Sequence, residues 1–246
     1  MISESLTCRS SGQPPAAAHL YVRPHFETPQ QAEEAILEQL GSDDSGVRKE
    51  YLAIFSGDTK EFSALMAQAF VRWRAFDSDI KGDEERAHVS ALVYTAITLH
   101  VLSLKLLLSG QTVAAGNLER QVIESIAMAL LCSSKSLPVL SSFMAGRYSS
   151  NVAVRDVLRH GRKLSLNQEA LQALSESQDF YHQYSHVTKL TIAHGMSFSV
   201  AGGLYVGSAF DKGKVDAYTK EVQSRLSLAK VFEGFVEGVH TNVAKW

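Results

Sequence analysis

Residues 112–132, TVAAGNLERQVIESIAMALLC, decide the fold, because apolar residues recur there at the helical period with three charges set among them. At about 100° per residue, Ala115, Leu118, Val122, Ile123, Ile126 and Leu130 share one arc, with Asn117, Gln121 and Ser125 opposite. Glu119 falls in the middle of the apolar arc, Arg120 at its edge and Glu124 one step further round. An ionised carboxylate does not enter a core alone, so Glu119 is expected to be paired, protonated or facing a cavity.

Immediately upstream, residues 87–109 hold no Asp, Glu or Arg and are dense in Leu, Val and Ala. That length would suit a membrane span. Ser90, Tyr94, Thr98 and Lys105 nevertheless share one side and His100 interrupts the other, so a helix buried in a soluble bundle is the better reading and no membrane partner is expected. Asp83 is placed to cap this helix, Glu84 and Glu85 suit its first turn, and Gly110 ends it. Two long helices joined by so short a loop run antiparallel, which sets His100 within about one turn of Glu119, Arg120 and Glu124. These four are expected to form one buried polar cluster, either a network that satisfies itself or a ligand site.

Around this hairpin, spanning 84–132, the remaining chain reads as further helices. Thr28, Pro29 and Gln31 start one that stops at Gly41. A short helix over 47–55 is expected next, and then a longer one opened by Asp58 and Glu61 and running to 77. Helices follow over 137–146, 152–162 and 167–193. The segment 197–209, SFSVAGGLYVGSA, alternates around Gly202 and Gly203 and predicts a small β-hairpin. From Val215 to Trp246 apolar residues recur at three and four, predicting one long amphipathic helix, in which Gly234 and Gly238 would admit a close neighbour. Residues 1–27 carry no helical period and read as an extended or disordered arm. The expected fold is therefore all-α, a single helical domain over 28–246 with one small hairpin.

The 246 residues are 45% hydrophobic with a formal charge of −2, which gives nucleic-acid binding no support and does not forbid it. Two cysteines make no disulfide framework, and the first residues lack a basic-then-apolar leader, so a reducing cytoplasm is expected. An apolar stripe reaching the last residue, Trp246, favours a homo-oligomer.

Several constellations bear on chemistry. Glu85/His88 and Glu237/His240, with Glu61 and Glu119, imitate the ligand order of a di-iron carboxylate bundle, but Glu61 and Glu85 start antiparallel helices and fall at opposite ends. His182, His186 and His194 have a spacing that suits imidazole ligation, without cysteine support, and are more simply read as hydrogen-bonded neighbours of Tyr181, Tyr184 and Ser185. Neither a metal nor a cofactor is expected, since no phosphate loop, nucleophile elbow, CxxC pair or dinucleotide fingerprint occurs.

Arg155-Asp156-Val157-Leu158-Arg159-His160 resembles the Arg-x4-His motif of the all-α HEPN (higher eukaryotes and prokaryotes nucleotide-binding) ribonucleases. The resemblance implies phosphate stabilisation by Arg155 and acid-base duty for His160 in metal-free RNA cleavage. The alternative is a solvated basic helix end. Asn117-x-x-Arg120-x-x-x-Glu124 followed by FYHQYSHVTKLTIAHG resembles a group of uncharacterised bacterial helical proteins with an Arg-x-x-x-Glu helix and a later Ser/His segment, over about residues 84–196. The leading functional reading is a self-associating binding or assembly module. One alternative is a small-molecule or nucleotide pocket at Glu119 and Arg120, with His100, Glu124 and His186 as further ligand-binding candidates; the other is the Arg155/His160 ribonuclease.

Overall fold

Helix caps and turn residues set where each element starts and stops. The computed structural model describes residues 20–22 and 26–246. In chain order these form β1 (Leu20–Val22), α1 (Pro29–Gly41), α2 (Ser45–Ser78), α3 (Glu84–Leu108), α4 (Thr112–Cys132), α5 (Val139–Met144) and α6 (Ala153–His160). Next come α7 (Gln168–His182), α8 (Lys189–Gly195), β2 (Gly203–Tyr205) and α9 (Val215–Val243). The fold is all-α with a minimal strand element. The arm expected over 1–27 lies largely outside the described residues; within it, Leu20–Val22 supplies β1.

The central hairpin is α3 and α4. The Asp83 carboxylate accepts the Arg86 amide at 3.0 Å, opening α3, and Glu84 and Glu85 follow where the helix dipole favours acids. Gly110, at φ +77°, closes it in a conformation that L side chains avoid, and a Cβ there would stand 2.8 Å from the Ala209 backbone. α4 then returns antiparallel, with the Ser103 hydroxyl donating to the Ala115 carbonyl at 2.9 Å. By length and composition α3 matches a membrane span. Here Val89, Val93, Ile97, Leu104 and Leu107 are buried in the core, and the buried polar residues Ser90, His100 and Ser103 all find partners.

α9 lies along α2 and closes the core with Tyr218, Val222, Leu226, Phe232, Val236 and Val239. Its stripe is thus consumed within the chain, even at Trp246, whose indole donates to the Ser133 carbonyl at 2.8 Å. Self-association draws no support from that stripe. Gly234 and Gly238 admit no neighbouring helix, since a Cβ on either would meet nothing within 4 Å.

Other expectations are corrected in detail. The end expected at 55 for the first of two helices coincides with a break in helical geometry at Phe55 (φ −105°, ψ 18°), but the two run on as α2 without a loop, Tyr51, Phe55 and Phe62 carrying burial through the polar Ser-Gly-Asp-Thr. Asp58 caps nothing and accepts from the Gln223 side chain at 2.7 Å. The helix expected over 167–193 is interrupted at 183–188, where His186 is extended (φ −133°, ψ 161°) and Thr188 and Thr191 cap α8 reciprocally. Around Gly202 the chain turns, with Gly203 N–H donating to the Val200 carbonyl, but the hairpin amounts to a single bridge between Met196 and Leu204. β2 pairs instead with β1, antiparallel, Tyr21 opposite Leu204. The cause is Asp211, whose carboxylate draws in the Phe198 amide, the Ser199 hydroxyl and the Gly213 amide and so bends the first arm out of strand geometry.

Candidate functional site

The antiparallel pairing of α3 and α4 puts His100 against Glu119, Nδ1 to Oε2 at 3.1 Å, and both side chains are fully buried. The other ring nitrogen, Nε2, lies 3.0 Å from the Arg225 carbonyl. A backbone carbonyl only accepts, so Nε2 donates to Arg225 while Nδ1 meets the Glu119 carboxyl. The ring stacks on Phe232, centroids 5.2 Å apart.

Arg225 of α9 completes this cluster. Its Nε donates to Ser103 at 2.9 Å and stands 3.7 Å from Glu119 Oε2, while Nη1 donates to Glu221 Oε2 at 2.6 Å. Glu221 also accepts from the Tyr184 hydroxyl (2.6 Å) and the Tyr181 hydroxyl (3.2 Å). Burial opposes ionisation of Glu119, but the charges of His100 and Arg225 outweigh it and hold the carboxyl below its ordinary range. Burial likewise opposes the Arg225 charge, and Tyr181, Glu119 and Glu221 more than offset it. Tyr181 and Tyr184 are pushed up, chiefly by burial, and stay protonated donors.

A second cluster lies on the next face of α4. Arg120 Nε donates to Glu124 Oε1 at 2.9 Å and Nη1 to the Ser185 hydroxyl at 2.8 Å. Ser185 in turn donates to Asn117 Oδ1 (2.8 Å), and Ser150 donates to Glu124 Oε2 (3.2 Å). Gly116 makes this docking possible, because a Cβ there would sit 2.4 Å from the Tyr184 ring. The four residues expected in one cluster therefore divide into two pairs. Glu119 turns into the core toward α3 and α9, whereas Arg120 faces the segment after α7 and Glu124 faces Ser150, just before α6.

The remaining sequence candidates stand apart. His186 is exposed, its Nε2 3.2 Å from that of His182, while His194 is turned inward between Thr112 (2.8 Å) and the Tyr184 hydroxyl (3.3 Å). Burial, then the Lys214 charge, lowers the His194 pKa. Arg155 is exposed and pairs with Asp156 at 3.7 Å. Asp156 is shared with Arg159 and Tyr148, and five residues of helix turn His160 well away from Arg155. The Glu-x-x-His residues are dispersed: Glu85 pairs with Lys135, Glu237 with Arg72, Glu61 with Lys230 and His240 with Asp79. Among the described residues no three His, Cys, Asp or Glu side chains converge as metal ligands.

Glu119 also lines a cavity. A groove of about 570 Å³ opens between α7 and α9 with α4 as its floor, walled by Ile123, Ile126, Leu171, Leu174, Leu228 and Phe235. Glu119, Tyr181 and Ser224 form its polar end. Glu119 Oε2 carries the contacts to His100 and Arg225, whereas Oε1 is buried with no hydrogen-bond partner, as is Arg225 Nη2. A second groove of about 520 Å³, between α2 and α3, has apolar walls and no such group: its Arg48 is already bonded to Ser109. Sequence reasoning passed over Arg225 and Glu221, although Arg225 sits between Val222 and Ala229 on the apolar arc of α9 and breaks the pattern just as Glu119 does. No protein-family model, curated protein or solved structure matches the chain.

Proposed function

We propose that this protein is a small-molecule binder that takes an elongated apolar ligand into the groove between α4, α7 and α9, with the ligand's polar end against Glu119. One observation carries the reading: Glu119, a residue that lines the polar end of a mostly apolar cavity, has a buried carboxylate oxygen without a partner. Buried acceptors left unpaired are costly, and native folds retain few of them. A cavity of this size with one polar end suits a ligand better than empty space. The test is binding of the fluorescent apolar probe phenylnaphthylamine, with Ala173→Trp, which fills the groove from the exposed side of α7, as control. Saturable binding weakened about tenfold or more in the variant is expected. A chain that enhances no fluorescence, or a variant that binds equally well, overturns the reading.

A second reading, self-association into a homodimer, is favoured by α1. None of its residues is buried, and Ile36, Leu37 and Leu40 are 54%, 59% and 79% exposed on one face. Light scattering at micromolar concentration should give twice the chain mass, and Leu37→Asp should return it to one. A monomeric mass for the unaltered chain removes this reading and leaves the groove untouched. Arg155 and His160, apart on α6, lend RNA cleavage no comparable support.

A further inference from the structure

The walls admit any apolar chain, so selectivity must come from the polar end. Glu119 begins the groove and Leu130 lies near its other end, eleven residues or about 16 Å along α4, and the α4 residues lining it beyond Glu119 are apolar. Asn167, Ser177, Ser227 and Lys230 are the polar residues among the rest of the lining, and the other walls are apolar. At the polar end, by contrast, the Tyr181 and Ser224 hydroxyls are hydrogen-bonded to one another and Tyr181 also to Glu221, so the atom left without a partner is Glu119 Oε1, an oxygen that accepts and cannot donate. The Glu119 carboxyl is held ionised by His100 and Arg225, and its Oε2 is already engaged by them.

We infer that the groove selects an alkyl chain ending in a hydrogen-bond donor, an alcohol or a primary amine, and rejects the same chain ending in a carboxylate. This rests on the groove being the binding site. A hydroxyl or ammonium gives Oε1 the proton it lacks. A ligand carboxylate has none to give at neutral pH and would stand against an ionised oxygen in a place water does not reach. Arg225 does not offer the anion an alternative seat, because it is not among the residues that line the groove. At the rim, Lys230 is paired with Glu61 at 3.2 Å. Sites that hold a buried hydrogen-bonding group reject analogues unable to meet it far more strongly than apolar walls reject an extra methylene.

The test is displacement of phenylnaphthylamine from the full chain at neutral pH by decanol, decylamine and decanoate, each below its micellar concentration. Decanol and decylamine should displace the probe at least about tenfold more effectively than decanoate. In Glu119→Gln, whose amide both donates and accepts, the preference should shrink to about threefold or less. Decanoate displacing as well as decanol in the unaltered protein overturns the inference without the variant, and so does a preference that survives Glu119→Gln in a folded protein. Probe binding that none of the three can displace overturns it too, while leaving an apolar groove. Failure of the probe itself to bind removes the groove reading on which the inference stands.

Discussion

Glu119 shows how one residue can be both structural and exposed to chemistry. Its Oε2 joins His100 and Arg225, so removing the carboxylate leaves a buried guanidinium with one fewer counter-charge. Glu119→Ala should therefore lower stability by about 3 to 5 kcal/mol, the usual cost of breaking a buried pair from one side. Glu119→Gln, which keeps the shape and an acceptor, should cost less, and thermal unfolding of the two measures the difference. A Glu119→Ala protein as stable as the parent would mean that the pair contributes nothing. The pH dependence follows from the direction of the shifts. The folded pKa of Glu119 lies below its ordinary 4.5, so its contribution is complete above that value and is lost as pH falls through the folded one. His194 is also lowered, from an ordinary 6.5, and acts in the same direction: the neutral ring fits its buried site, and protonation below 6.5 opposes folding. Acid titration of stability should thus decline in two steps, and His194→Gln should remove the upper one.

At the scale of elements, the helices that bury an apolar arc were legible in the sequence and the breaks between them were less so. α3, α4 and α9 announce themselves through the period of Val89, Val93 and Ile97 or of Val222, Leu226 and Ala229, and Asp83 and Gly110 mark their ends by cap chemistry. The break at Phe55 falls where the shorter helix was expected to end, but Asp58 does not cap a new helix and the chain runs on across the bend without a loop. The site was half legible. Glu119 and His100 were found from one helix pair, but Arg225 arrives from 125 residues away in sequence, and no local pattern says which helix will supply a counter-charge. Likewise Gly116 gave no sign that a ring would rest on it. Gly116→Ala should push Tyr184 off α4, loosening its bond to Glu221, at a cost of about 1 to 3 kcal/mol as in other overpacked cores. Calorimetry checks the cost, and near-ultraviolet circular dichroism checks the displaced tyrosine; an unchanged spectrum would mean that the contact is easily relieved.

For the molecule as a whole, the groove lies where α7 and α9 pack little on one another. α7 rests on α4 and α6, but its hydrogen bonds to α9, among the described residues, all come from Tyr181, which reaches Glu221, Ser224 and Arg225. Beyond Tyr181 the two helices stand apart with the cavity between them. A ligand in the groove supplies the missing apolar contact and should stabilise the folded chain by about 2.7 kcal/mol at a hundredfold excess over its dissociation constant. The gain should not be uniform, since local opening draws on the elements with fewest buried contacts. Amide exchange in decanol should therefore slow most over 168–182 and 224–235, and least in α2 and α3, which already pack on one another away from the groove. Slowing centred on 29–41 instead would place the ligand against α1, and slowing centred on α2 and α3 would place it in the other groove. Either pattern would also deny Glu119 its part in recognition, because that carboxylate lines neither surface.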